Sequence, residues 1–468
     1  MGSKEILKTI LDRYPTIKKA AQRVLAAIPL SARLGKNYWY WYEFYQQSEQ
    51  WSRSQLAEFQ LDCVRTLLTD ITETSAFYRE RLSGVDPKSL DSLETFRLRV
   101  PALSREEFRA NYDGLRSSEW KKNRLSVTRT SGTTGMALQF YHPAVDNARE
   151  EAAINYQWKR VGYVPGKSRR VEFRALTAPG KLVETFPHGN MIRCSILHLK
   201  KEHVAHYANE IRKHEMDFIQ GYPSALYLLA KEIRSSGMKF PQPKAVLLAS
   251  EVVYDWQVEE IEKAFPGVRL FAHYGCAERV ALAGWCEHRR EYHVLPQYAF
   301  VEIDETSREI IGTNLFNSVN AFVRYRMADT VNKHSQKPCP DCGRPYVPRM
   351  IELGGRSEDY LYSPEFGWIP PAIVTYPLKG LLEIREMQFR QSEKSEIRVL
   401  YTVRENGDEK GLVEELRHVE VDLYRLFGRR TKFRFEQVDD FPRGPTGKFK
   451  WIISELDEGR IPEPRRRK

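Results

Sequence analysis

No stretch of this chain approaches the roughly 20 consecutive apolar residues that a membrane-spanning helix requires, and its first residues lack the short apolar core of a secretory signal. The expectation is a cytoplasmic protein, soluble or peripheral at the inner face of the membrane. Met1-Gly2-Ser3 has the form of a myristoylation start, but Ile6 stands where Ser or Thr is needed. Cysteine is scarce, with six residues at 63, 194, 276, 286, 339 and 342. They are too few and too uneven for a disulfide framework in a chain this long. There is no internal repeat, and the only low-complexity tract is the closing Pro-Glu-Pro-Arg-Arg-Arg-Lys, read as a solvated tail.

What is present is ample for a large core. The chain has 468 residues, 41% hydrophobic and 12% aromatic, a length that favours more than one folded unit. Lys and Arg outnumber Asp and Glu by 73 to 62, a formal charge of +11 that attracts phosphates, anionic lipids or nucleic acid without choosing among them.

Residues 4 to 28 carry apolar side chains at Leu7, Ile10, Leu11, Tyr14, Ile17, Ala21, Val24, Leu25 and Ile28, the spacing of one helical face, split or kinked at Pro15. Eight basic residues (4, 8, 13, 18, 19, 23, 33 and 36) accompany it, followed by Tyr38-Trp39-Tyr40-Trp41-Tyr42. A basic helix with an aromatic cluster suits peripheral contact with an anionic membrane. A helix and aromatic strip packed on the protein body fit the same residues. Trp51 to Leu82 is predicted helical, and Pro101 to Tyr112 reads as a loop entering a helix through Ser104 and Glu106-Glu107. After Ser126, short apolar runs at Arg169–Ala175, Phe218–Gly221, Ala245–Ala249, Leu270–His273 and Phe300–Ile303 alternate with helical stretches, which indicates an α/β fold.

Thr130-Ser131-Gly132-Thr133-Thr134-Gly135 falls between two short runs where a hairpin is plausible. Its glycines let the backbone bend round an anion while amide and hydroxyl groups donate to phosphate oxygens. No Gly-Lys-Ser/Thr follows, so this is not a Walker loop. Downstream come, in order, Gly221-Tyr222-Pro223-Ser224, Ser250-Glu251, Tyr274-Gly275-Cys276-Ala277-Glu278, Arg324 to Asp329, Gly354 to Asp359 and Gly444-Pro445-Thr446-Gly447-Lys448. The ordered set resembles the adenylate-forming superfamily and, within it, the phenylacetate-CoA ligase family. The preamble, through the Gln60 helix and Tyr78-Arg79-Glu80, resembles its capsule-biosynthesis, CapK-type branch.

The resemblance implies a large multi-layer α/β domain of mixed sheets and helices at 51–356, preceded by a basic amphipathic extension at 1–50. A small mobile α+β lid would follow at 357–468. It implies ATP-dependent activation of a carboxylic acid, with transfer to the thiol of coenzyme A or to an amine or hydroxyl in surface polysaccharide assembly. The 130–135 loop would hold the β and γ phosphates, Tyr274 would lie against adenine, Glu278 would help bind Mg2+, and Asp329 would take the ribose hydroxyls. Arg356 would touch the ribose at the interdomain hinge, and Ser250, Glu251 and Gly275 complete the nucleotide-binding set. Lys448 would bridge the attacking carboxylate and the α-phosphate, a placement that makes sense because two anions must be brought together. Two positions depart from the family. Ala277 stands where Thr or Ser is usual, and Met136 where Lys or Pro is common, leaving Lys121, Lys122 or Arg129 to complete the loop.

Cys286, His293, Cys339 and Cys342, with Gly343 following the Cys-x-x-Cys pair, make three thiols and one imidazole, the ligand count of a closed structural Zn2+ site. His288 and His334 are alternative ligands, and two unrelated reduced cysteines beside core residues are the plainer reading. A non-catalytic nucleotide- or nucleic-acid-binding zinc protein is the rival from another class, suggested by the charge and by Arg465-Arg466-Arg467-Lys468, although no RNA- or DNA-reading motif supports it.

Overall fold

A computed structural model describes residues 28–456, apart from 121–124, 130–138, 175–179, 187–189, 200, 254, 356–360, 370, 375, 379–380, 382, 404–407, 440 and 442–451. The proposed basic helix at 4–28, the phosphate loop, Arg356 and Lys448 therefore lie outside the described residues, Ile28 excepted.

The first described helix, α1 (Leu30–Gln47), contains a break at Gly35, whose φ of 81° is not helical. The aromatic run sits on it and packs inward. Tyr38, Tyr42 and Tyr45 are buried, and Tyr40 is the exposed member at 64%. Tyr38 Oη accepts from Asn155 Nδ2 at 3.0 Å. Trp41 meets Phe316 edge-on at 5.0 Å between centroids, and the fully buried Arg149 guanidinium lies 4.2 Å from the Phe316 ring. Of the two readings of the strip, the packed one describes these residues, because burying the rings also supplies a cation–π seat for a charge that water does not reach.

Helix α2 (Arg53–Thr74) begins with a capping box between Ser52 and Gln55 and buries Leu56, Gln60, Leu61, Val64, Leu67, Leu68 and Ile71, a single three-and-four face. It stops at Ser75, which caps the next short helix, Ala76–Arg81. Buried Gln60 donates to the Pro296 carbonyl at 2.9 Å, and the Tyr78 hydroxyl donates to that of Ala321 at 2.8 Å. Both clasp the far end of the sheet, which gives these two preamble residues a physical role. At the helix entry predicted through Ser104 and Glu106-Glu107, Ser104 and Glu107 form a capping box on the helix Arg105–Ala110.

A hairpin of β1 (Leu125–Arg129) and β2 (Gln139–Pro143) stands by itself, with Arg129 paired opposite Gln139. Helix α3 (Asp146–Trp158) follows. The main sheet has twelve strands: β3 (Arg170–Arg174), β4 (Val183–Phe186), β5 (Met191–Ser195), β6 (Phe218–Gly221), β7 (Ala245–Ala249), β8 (Arg269–Gly275), β9 (Leu282–Trp285), β10 (Tyr292–Val294), β11 (Ala299–Ile303), β12 (Glu309–Asn314), β13 (Tyr325–Ser335) and β14 (Arg349–Gly355), in the order 11-12-13-14-10-9-8-7-6-3-5-4. Strands β5, β3, β6, β7 and β8 run parallel. They are joined through α4 (Val204–Lys213), α5 (Pro223–Ser236) and α6 (Asp255–Ala264). The inner strands β6 and β7 are buried along their whole length, which explains why they read as short apolar runs. Beyond β8 the sheet turns antiparallel.

After β14 come a hairpin of β15 (Leu361–Ser363) and β16 (Gly367–Ile369) and a second sheet. That sheet holds β17 (Ile384–Glu393), β18 (Glu396–Val403), β19 (Lys432–Gln437) and β20 (Ile452–Ser454), ordered 19-18-17-20. Helix α7 (Glu409–Phe427) is capped by Asp408, buries Val419, Leu423, Leu426 and Phe427, and connects the parallel pair β18 and β19. The fold is thus α/β, with a large mixed sheet followed by a small α+β unit, as the sequence predicts.

Candidate functional site

In an open parallel sheet the groups at the carboxyl ends of the strands converge, since each strand delivers its next residue to the same edge. Here that edge receives Tyr222 after β6, Ser250 and Glu251 after β7, and Tyr274 to Glu278 at the end of β8. Ser250 (φ 74°) and Arg279 (φ 58°) adopt the left-handed conformation that non-glycine residues rarely take, a form of strain that concentrates at functional sites.

Asp329 joins them from β13, although β14, β10 and β9 stand between that strand and β8 in the sheet. The Tyr274 hydroxyl donates to Asp329 Oδ2 at 2.9 Å and touches the Met327 sulfur at 3.7 Å. The sheet must curl to allow this. Its pairing through β9 and β10 is short, and register shifts interrupt the β13–β14 ladder, so that stretch can bend sharply. Glu278 is held in place by its backbone, whose carbonyl accepts from Asn314 Nδ2 at 3.3 Å. The turn then presses on β12 so closely that a Cβ on Gly312 would lie 2.3 Å from the Val280 carbonyl oxygen, so only glycine fits there.

A polar network absent from the sequence reading links this turn to the β1–β2 hairpin. Asn147, at the start of α3, donates to Ser126 Oγ at 2.7 Å, and its Oδ1 accepts from Arg279 Nη2 at 2.7 Å. The same oxygen lies 3.1 Å from His142 Nε2. Arg279 also pairs with Glu150 at 3.3 Å. Burial, and then the neighbouring Arg279 charge, push the His142 pKa down to about 4. The one available signal was that Arg279 directly follows Glu278; nothing in the sequence marks Asn147 or His142.

Cys286, His293, Cys339 and Cys342 come together, their donor atoms all within 4.8 Å of one another. Cys286 Sγ lies 4.0 Å from Cys339 Sγ, and Cys342 Sγ lies 3.8 Å from His293 Nδ1. A tetrahedral ion with metal–sulfur bonds of about 2.3 Å demands edges of about 3.8 Å, so the spacing fits Zn2+. Burial pushes the Cys286 thiol up to about 12 and the His293 imidazole down to about 3. Neutral imidazole is the ligating form, whereas a buried thiol needs a cation to become thiolate. Neither His288 nor His334 belongs to the cluster. The His288 backbone N–H donates to Cys286 Sγ, and His334 lies beside Arg308 and Glu305. Arg344, two residues beyond Cys342, pairs with Glu49 at 2.8 Å and Glu287 at 2.7 Å, fastening the cluster's loop to the end of α1.

Residues 361–455, from β15 to just past β20, match the family of CapK C-terminal domains. Protein CapK of Staphylococcus aureus is 24% identical over 400 residues, covering 82% of this chain and 86% of that protein. Among solved structures, 2-hydroxyisobutyryl-CoA ligase in its postadenylation state, bound to R3-HIB-AMP, superposes with a TM-score of 0.54 at 17% identity, over 88% of this chain and 92% of that one. The same ligase with 2-HIB-AMP and CoA, in the thioesterification state, gives 0.53 at 16% identity, over 87% and 91%. The second unit therefore matches a CapK C-terminal domain, and the chain as a whole shares the fold of the adenylate-forming 2-hydroxyisobutyryl-CoA ligase.

Proposed function

We propose that the protein is an adenylate-forming ligase, joining a carboxylic acid to AMP with loss of pyrophosphate and then passing the acyl group to a second nucleophile. In the first step a carboxylate oxygen bonds to the α-phosphorus of ATP and the bond to pyrophosphate breaks. In the second the acceptor attacks the acyl carbon and AMP departs. The observation that carries this reading is the Tyr274–Asp329 contact, which joins two motifs far apart in sequence at the edge where a nucleotide would lie.

On this reading Tyr274 faces adenine, Asp329 binds the ribose, and Glu278 holds Mg2+, which neutralises phosphate charge. Ser250, Glu251 and Gly275 complete the nucleotide contacts, Ser131 to Gly135 cradle the β and γ phosphates, and Arg356 and Lys448 serve the hinge and the α-phosphate. The second unit, 357–468, acts as the lid. Zn2+ would be held by Cys286, His293, Cys339 and Cys342 as a closed, structural site that ties the β9–β10 turn to the segment after β13. The acceptor is coenzyme A or an amine or hydroxyl of a surface polysaccharide precursor.

Pyrophosphate release from ATP and Mg2+, measured over a panel of aryl, fatty, amino and dicarboxylic acids with hydroxylamine as trap, tests the reading. An acid-dependent hydroxamate is expected. Silence over the whole panel, from folded protein that still binds ATP, would overturn it.

A further inference from the structure

The parallel register places Phe173, Gly221, Leu248 and Ala272 side by side. One residue further along, Ala249 pairs with His273. Arg174 and Tyr222, which directly follow the last residues paired between β3 and β6, meet each other there. The four extend that row along the carboxyl side of β3, β6, β7 and β8. That row lies immediately before Ser250 and Tyr274, with Ala249 its one short side chain. The Arg174 guanidinium sits 4.7 Å from the centre of the Tyr222 ring. Among the described residues it makes no hydrogen bond and no ion pair. The nearest acid on its own face of β3, Glu172, is already engaged by Arg193 at 2.9 Å and Arg170 at 3.3 Å. At the other end of the row His273 Nδ1 is buried without a partner among the described residues. Burial, and then the Arg174 charge, bring its pKa down to about 4, so the ring is neutral and Arg174 supplies the positive charge of the row.

A half-buried guanidinium stacked on an aromatic face, with its donors uncommitted, is arranged to bind a planar oxyanion in two-point fashion. We propose that Arg174, on its Tyr222 platform, binds a second anionic group of the acid substrate, so that the protein selects carboxylic acids bearing another carboxylate or comparable oxyanion at the end remote from the reacting one. The inference rests on the adenylation reading and narrows it. The reacting carboxylate faces the nucleotide at Tyr274 and Asp329, while the remote anion points along the row toward β3. Plain fatty or aryl monocarboxylates would leave the guanidinium desolvated and unpaired, which is how a polar pocket rejects an analogue that lacks the matching group.

The test is calorimetric binding to the full chain of linear dicarboxylates from malonate to suberate, terephthalate and 3-phosphonopropionate, against butyrate, octanoate and benzoate, alongside pyrophosphate release with each. At least one doubly anionic acid is expected to bind about 100-fold more tightly than its singly anionic counterpart. Arg174→Gln should erase that preference, Arg174→Lys should retain part of it, and both should keep the wild-type affinity for ATP. The phosphono acid separates recognition of a carboxylate from recognition of any oxyanion. Equal binding of the two classes, no binding of any doubly anionic acid, or a comparable loss of ATP affinity in Arg174→Gln would overturn the inference, the last by assigning Arg174 to the nucleotide. Turnover of monocarboxylates alone would overturn it while leaving adenylation standing. Tight binding of a doubly anionic acid without any pyrophosphate release would instead remove adenylation and leave the anion site.

Discussion

Tyr274 at the end of β8 donates its phenolic hydrogen to the Asp329 carboxylate on β13 across 2.9 Å, bridging two strands that are not neighbours in the sheet. Hydrogen bonds to a charged acceptor contribute about 1.5–3 kcal/mol where water is partly excluded. Tyr274→Phe should therefore lower stability by roughly the bottom of that range and raise KM for ATP modestly. Asp329→Ala should cost on the order of 100-fold in ATP-dependent hydroxamate formation. Urea denaturation and steady-state kinetics check the two effects separately.

Metal analysis of the purified chain should find one Zn2+ per molecule. Cys339→Ser or Cys342→Ser should lose the ion and lower Tm, because the remaining buried thiol and imidazole donors are left without a partner. His288→Ala and His334→Ala should keep it, since neither ring belongs to the cluster. Loss of metal from either histidine variant would reassign the ligands.

Asn147 joins Ser126 on the hairpin to Arg279 beside the Glu278 turn. Asn147→Ala should leave the fold intact yet lower kcat and raise KM for ATP together, about tenfold in kcat/KM, because the proposed phosphate loop and the proposed Mg2+ ligand Glu278 would lose their common anchor. An unchanged kcat/KM with a lowered Tm would mark the network as purely structural.

His142 stays neutral in the fold down to about 4, whereas the unfolded chain protonates the same ring near 6.5. The native state is therefore at full stability above pH 6.5 on this account. It loses stability as pH falls from 6.5 toward 4, where the unfolded chain binds a proton that the folded one refuses. His142→Gln should flatten the Tm profile over that interval relative to wild type.

Lys448→Ala should abolish adenylate formation while leaving consumption of chemically supplied acyl-adenylate. Equal loss of both half-reactions, followed by single-turnover assays, would remove Lys448 from its proposed role.

What the sequence disclosed was local. Phe218–Gly221 and Ala245–Ala249 were legible as strands because strands buried on both faces leave an uninterrupted apolar run. The Ser104–Glu107 cap was legible because capping chemistry spans three residues, and the Cys/His cluster because four ligating side chains of matching type are rare in a cysteine-poor chain. The curl that brings β13 to β8 was not, since it depends on how short strands such as β9 and β10 pair at a distance, and their three or four residues carry no periodicity. Arg174 and Asn147 are not legible in the sequence for a related reason. Nothing adjacent in sequence distinguishes them, and their significance comes from register and from the partners the fold supplies or withholds.

The curl also has a timetable. Tyr274 precedes Asp329 by 55 residues, so at about 5–20 residues per second a growing chain spends roughly 3–11 seconds with the first partner of this contact made and the second not yet synthesised. During that interval β8 has neither its tyrosine's acceptor nor the strands that close the curl, and an early parallel sheet waits with one flank open. Codon choice and chaperone access across that span should therefore influence the yield of active protein more than equal changes elsewhere in the gene.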